Sequence, residues 1–229
     1  MTRRRSGLTA LACVAFCIAC DGNSGNHPPA PSSTLSDPPP AAYAPALRLA
    51  GAQLTRASDP AATGYPFTTN RAGRWYRVSL HEWTAGLLPG SLWALYDLTG
   101  EALYRERALL WQAPLEARAS YARTHDGGLV FGPSFARAFA CTADPRHAAV
   151  AEQAARALSS RYRPAVGALE ARDRPPGPVR VQLDTMAQLP LLVWATRVRH
   201  LDEAGMRAHA HGAFTAQRLV DAAGQAHAY

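Results

Sequence analysis

The run Leu189-Pro190-Leu191-Leu192-Val193-Trp194-Ala195 is apolar on every side of any helix it could form. A surface helix needs only an apolar stripe, whereas a helix without a polar face needs protein all around it. The chain must therefore enclose this segment, as the inner wall of a helical barrel does. Pro190 would cost up to ~3 kcal/mol in a helix interior, which places it in a first turn or at a kink. A carboxylate, Asp184, stands at the head of the run in Leu183-Asp184-Thr185-Met186-Ala187-Gln188. A second acid stands in Thr124-His125-Asp126-Gly127-Gly128, between two helical patterns. An acid beside apolar sequence is expensive unless it is paired, hydrogen-bonded or protonated, so two of them suggest acid–base work. The structural alternatives are an N-cap for Asp184 and a turn residue for Asp126.

Helical periodicity dominates the chain. Pro45 to Arg56 reads as a first helix, followed by a loop holding Gly64, Pro66 and Gly73. Glu82 to Leu98 carries Leu87, Leu88, Leu92, Leu95 and Tyr96, with Gly100 as a stop. Glu101 to Ala119 places Tyr104, Ala108, Trp111 and Leu115 three or four residues apart, with Leu103 beside the first of them. Ser134 to Cys141 is a shorter helix, and Asp144-Pro145 opens another with Ala149, Ala151, Ala154, Ala155 and Leu158 on its packing face. Asp184 leads the apolar helix, and Asp202 to Val220 is the last. Residues 170–180 read as an Arg/Pro-rich loop, in which Val179 to Gln182 is a weak strand candidate. The pattern predicts an all-α fold.

The first residues read as a targeting leader. Met1 to Arg5 is basic, Leu8 to Ala19 is a short apolar core, and Ala19-Cys20 resembles a lipoprotein cleavage site with Cys20 as the lipidated residue. That divides the chain into a leader at 1–20, a Pro/Ser-rich tether at 21–44 and a helical domain at 45–229. It also places the protein in the cell envelope, touching a membrane only through its lipid. Cys13, Cys17 and Cys20 fall in the leader, so Cys141 alone remains beyond it, as a small buried hydrophobe without a disulfide partner. The formal charge is +7, and all 24 basic residues are arginine. They are scattered rather than gathered in a stripe, which argues against a nucleic-acid partner and is compatible with an acidic ligand. His209-Ala210-His211 has the look of a metal word, but side chains two apart on a helix diverge, and no metal or cofactor is expected.

Several words, in order, resemble the unsaturated glucuronyl hydrolases. Trp83-Thr84-Ala85-Gly86-Leu87-Leu88-Pro89-Gly90-Ser91-Leu92-Trp93 resembles the family's Trp-x-Ser-Gly-Phe-x-Pro-Gly-x-Leu-Trp. Thr124 to Gly128 resembles its Thr-His-Asp-x-Gly block, and Ala154-Ala155 through Arg161-Tyr162 resembles its Ala-Ala…Leu…Arg-Tyr helix. Leu183 to Ala195 resembles Ile-Asp-Asn-Met-Met-Asn-Leu-Pro-Leu-Leu-x-Trp-Ala. The rhamnogalacturonyl hydrolases share part of these words. The resemblance implies an (α/α)6 barrel of the six-hairpin glycosidase kind. About seven of its twelve helices are legible, so the expectation is an incomplete barrel, truncated towards its C-terminus.

The same resemblance implies the chemistry. The family removes an unsaturated (4,5-ene) glucuronic acid from the non-reducing end of lyase-generated oligosaccharides, by hydrating the vinyl ether. It assigns Asp184 as acid/base, Asp126 as the second catalytic aspartate, and Trp83, His125 and a histidine of the last helix as substrate contacts. For that histidine the spacing to Thr215 and Gly224 favours His211, and the following alanine favours His209. Trp93, Trp111 and Trp194 read as core. The sequence departs from the family pattern at Thr185, Ala187, Gln188, Leu87 and Arg172, and lacks the Arg and Asp-Gly pair after Val220. Each departure is expected to loosen hydrogen bonding or packing around the acid. A non-catalytic remnant, or a sugar-binding vestige, is the competing expectation.

Overall fold

The computed structural model describes residues 41–171 and 177–226. The leader, Cys20, the tether as far as residue 40, Arg172 and the C-terminal His227 lie outside the described residues. Helix α1 spans Ala44–Ala57 and α2 spans Leu87–Thr99, the latter preceded by a 3-10 turn at Trp83–Gly86. Helix α3, Ala102–Gln112, runs on into a second 3-10 turn at Ala113–Arg118. Helices α4 (Gly127–Phe131) and α5 (Arg137–Thr142) are joined by a π-turn at Gly132–Ala136. That widened turn coincides with Pro133, which has no N–H to offer the helical ladder. Helix α6 spans Pro145–Ser159, α7 Leu189–Arg199 and α8 Asp202–Arg218.

These elements make three helical hairpins: α2 with α3, the α4–α5 stretch with α6, and α7 with α8. The first arms of the hairpins adjoin one another, α2 against the π-turn and α5, and α4 against α7. Helix α7 is thereby enclosed as its all-round apolarity requires, with Leu189, Leu191, Leu192, Trp194 and Ala195 buried. Pro190 sits in its first turn, where no ladder hydrogen bond is lost. Gly100 takes a left-handed conformation at the end of α2, and the Asp144 carboxylate caps α6 by accepting the Arg146 N–H at 3.0 Å. Trp93, Trp111 and Trp194 are core residues, and Cys141 is buried in α5.

Four details differ from the sequence reading. The loop after α1 contains an antiparallel hairpin, β1 (Tyr65–Thr69) with β2 (Trp75–Val78), turning at Asn70-Arg71-Ala72-Gly73. A second, minimal pair joins β3 (Tyr162–Arg163) to β4 (Ala168–Leu169). Val179 to Gln182 is not a strand, because its described residues pair with no ladder. On α6 the packing face carries Ala148 rather than Ala149, which points to solvent, so the stripe is Ala148, Ala151, Ala154, Ala155 and Leu158. The all-α class stands, since the hairpins are short appendages to the helices.

Two glycines set how closely the segments around α4 approach. A Cβ on Gly86 would lie 2.2 Å from the Val130 carbonyl oxygen, and one on Gly128 would lie 2.4 Å from the Gln188 Cα and oxygen. The turn carrying Trp83 and the turn carrying Asp184 are therefore both pressed against α4, on whose N-terminal side stand His125 and Asp126. Gly128→Ala is expected to cost about 2–3 kcal/mol, because the opposing atoms are backbone and cannot swing aside. Gly132→Ala, where a methyl would meet nothing within 4 Å, is expected to change stability by no more than ~1 kcal/mol. Thermal unfolding of the two variants followed by circular dichroism separates them, and equal melting temperatures would contradict the close-approach account.

Candidate active site

Asp184 does not cap a helix. It lies within a 3-10 turn, Leu183–Gln188, that immediately precedes α7. Asp126 occupies the residue before α4, with no side-chain capping bond. The fold brings the two acids, 58 residues apart in sequence, to the same imidazole. His125 Nε2 is 3.4 Å from Asp126 Oδ1 and 3.8 Å from Asp184 Oδ1. The histidine itself is 1% exposed, while the Asp126 side chain is 19% and the Asp184 side chain 68% exposed. Asp184 can therefore be reached from solvent. What stands beside it is a second carboxylate and a histidine ring, not an apolar wall.

The ring of His125 is fixed from the other side. Its Nδ1 lies 2.6 Å from the Thr185 Oγ1, which is fully buried, and its backbone N–H donates to the Ala171 carbonyl at 3.0 Å. Three residues on, the buried Gln188 side chain accepts the Leu129 N–H through Oε1 at 2.8 Å. Thr185 and Gln188 were expected to loosen the acid's surroundings. Each makes a hydrogen bond across to the α4 side of the site. Sequence reasoning flagged both positions only as departures from a family pattern, and the signal it missed was their small polar side chains in otherwise apolar company.

Arg118, at the end of the second 3-10 turn, is buried and donates to the Leu80 carbonyl. Burial lowers its pKa, and the negative charge of Asp126 is the largest influence opposing that. Its guanidinium thus supplies positive potential on the Asp126 side, a role the sequence reading did not assign. Trp83 is 40% exposed on the turn packed against α4, so it is a surface ring and not a core one. A half-exposed indole face is a good platform for a pyranose.

The two histidines of α8 differ in burial. His209 faces solvent, and His211 is 0% exposed. His211 Nδ1 accepts the Leu169 backbone N–H at 3.1 Å, so the neutral ring carries its proton on Nε2, which has no hydrogen-bond partner among the described residues. Burial, with a smaller contribution from the nearby His125, pushes its pKa down to about 4. His211 is therefore neutral at ordinary pH and holds a buried, unpartnered N–H donor among the described residues. One Thr215 hydroxyl, a turn further along, is likewise buried and unpartnered.

The depressed value makes a stability prediction. An unfolded histidine titrates near 6.5, so the neutral state of His211 supports the fold fully above that pH, and its contribution is lost as pH falls towards 4. The loss is expected to reach about 3 kcal/mol, and His211→Gln, which cannot take up a proton, should flatten the decline. Denaturant midpoints measured from pH 7 to pH 4 check this, and identical slopes in the two proteins would refute it.

Comparison with known proteins places the arrangement. No family model matches the chain. An unsaturated glucuronyl hydrolase of Formosa agariphila is 30% identical over 126 residues, covering 54% of this chain and 32% of that protein. A crystal structure of an unsaturated glucuronyl hydrolase specific for heparin superposes with a TM-score of 0.75 and 26% identity, over 80% of this chain and 50% of the other. A UGL variant solved with dGlcA-Glc-Rha-Glc superposes with a TM-score of 0.70 and 25% identity, over 79% and 48% of the two chains. The chain spans about a third of the length of the curated relatives it matches and about half of the solved structures. Over that span, in sequence and in its (α/α)6-type packing of helical hairpins, this chain is similar to the unsaturated glucuronyl hydrolases.

Proposed function

We propose that this protein hydrolyses unsaturated glucuronyl oligosaccharides by hydrating the C4=C5 vinyl ether of the terminal uronate. The observation that carries the reading is the convergence of Asp126 and Asp184 on His125 Nε2, with a solvent-reachable Asp184 and an exposed Trp83 on adjoining segments. Vinyl-ether hydration needs a carboxyl that delivers a proton to C4 and a base that takes one from the water adding at C5. Asp184, open to solvent, is the group that can meet a substrate carbon. Asp126, more enclosed and within the influence of Arg118, balances charge and positions the sugar. The hemiketal formed at C5 opens to a ketone. The former ring oxygen is left as a hydroxyl on C1, and collapse there releases the next sugar as its alcohol. Two carboxylates are used, but the bond cleaved is not attacked at the anomeric carbon, so the spacing rule for retaining and inverting glycosidases does not apply.

Trp83 then supplies the face on which the uronate stacks, and the His211 N–H is a donor on the buried side. The relatives named for this activity, and the oligosaccharide bound by one solved variant, support the substrate class. The leader and Cys20 support a lipid-anchored place in the cell envelope, where lyase products of extracellular polysaccharides arrive.

Incubation with an unsaturated uronyl disaccharide should bleach the ultraviolet band of the vinyl ether. Asp184→Asn should lower the rate by at least ~100-fold with the helical spectrum unchanged. Trp83→Ala should raise KM by about tenfold, the scale of one stacking contact. A full-length relative bleaching the substrate that this chain leaves intact would reject the hydrolase reading, and retained binding of the disaccharide would then mark a sugar-binding protein.

A further inference from the structure

Thr185 is at the centre of the site, and the reaction outlined above leaves it idle. Its side chain is fully buried, and its hydroxyl meets His125 Nδ1 at 2.6 Å. Groups from four of the described elements face His125. Asp126 precedes α4, Asp184 and Thr185 share the turn before α7, His211 comes from α8, and Arg118 acts through Asp126. Thr185 contacts Nδ1, whereas both carboxylates address Nε2. Which ring nitrogen keeps a proton is set by the hydrogen bond the other one makes. His211 does not compete, since its own Nδ1 accepts a backbone N–H and its ring stays neutral.

We propose that Thr185 is a positioning residue that acts through His125: its hydroxyl oxygen accepts the Nδ1–H, keeps the proton on that nitrogen, and leaves Nε2 free to exchange a proton with Asp126 and Asp184. Two mobile protons are then shared by three groups, one on Asp184 and one on Nε2, with Asp126 ionised. When Asp184 gives its proton to a substrate carbon, Nε2 of the imidazolium replaces it, and the ring becomes neutral with Nδ1–H still held by Oγ1. The proton released by the attacking water returns through a carboxylate to Nε2. No ring rotation is needed at any stage, and the neighbouring carboxylates never have to ionise together without a cation between them. The orienting role is that of the buried acid in a hydrolase triad, performed by an uncharged hydroxyl. This rests on the proposed hydration chemistry for its use, but the proton's position does not.

The test reads that position directly. In nitrogen-15 labelled protein without substrate, His125 Nδ1 should give the chemical shift of a protonated nitrogen throughout about pH 5 to 8, with a slowly exchanging Nδ1–H. Thr185→Val and Thr185→Ala should replace this with averaging between the two neutral tautomers, and Thr185→Ser should restore it. In the rate assay the Val and Ala variants should lose about tenfold in kcat with KM within about twofold, again restored by Ser. An unprotonated Nδ1 in the parent protein, or Val and Ala variants that keep the parent signal, would overturn the inference. The outcomes separate from those of the reaction itself. A held Nδ1–H without turnover removes the hydrolase reading and leaves the positioning intact, and turnover with an unprotonated Nδ1 does the reverse.

Discussion

The grip on the His125 ring is the interaction on which the rest of the site depends. A buried imidazole has two polar atoms to satisfy, and an unsatisfied one costs the desolvation of that atom. Here Nδ1 meets Thr185, Nε2 meets two carboxylates, and the backbone N–H meets Ala171. Apart from Asp126, each partner comes from a segment far away in sequence. The ring therefore ties the Thr124 to Gly128 word to the turn before α7, and it does so at the place where both acids meet. Moving either turn by an ångström would break a buried hydrogen bond as well as the geometry of the acids.

That grip works only because the backbones around it can come close. The absence of a side chain at Gly128 lets α4 rest on the backbone of Gln188, and the absence of one at Gly86 lets the Trp83 turn rest on Val130. The Gln188 side chain then closes the contact by accepting the Leu129 N–H. Packing and polar satisfaction are thus solved at one spot. The same spot is where a substitution would couple stability to chemistry most strongly.

The arginine content, which suggests a charged surface when read as composition, has a different use in much of the fold. Arg77 donates to the Gly64 and Ala57 carbonyls, Arg107 to that of Ser58, Arg118 to that of Leu80, and Arg207 to that of Ser159. Arg161 bonds the carbonyls of Glu170 and Ala122 from a site that is 2% exposed. A guanidinium presents several donors in a rigid fork, so one side chain can satisfy loop carbonyls that no ladder reaches. These arginines fasten the loops between helices, and that is why they are spread along the chain and not collected on a face.

The sequence by itself determined the helices and the enclosure of α7, and it singled out the two acids that the fold brings to one imidazole. Periodicity and an all-round apolar run are local properties, and the family words around Trp83, His125 and Asp184 name residues without needing coordinates. It missed the β1–β2 hairpin, whose strands are short and half exposed and so lack a clean alternation, and it set the stripe of α6 one residue off at Ala149 because alanine is small enough to read as either face. It left His209 and His211 open, since two residues on one helix differ only in which way the helix is turned. Tertiary structure alone decided that His211 is the buried one, that Asp184 is exposed within a turn and not an N-cap, and that Thr185 and Gln188 bridge to the other side of the site. The physical reason is the same in each case: burial and hydrogen-bond partnership are set by segments tens of residues away, and nothing in a local stretch of sequence records which of its faces they will cover.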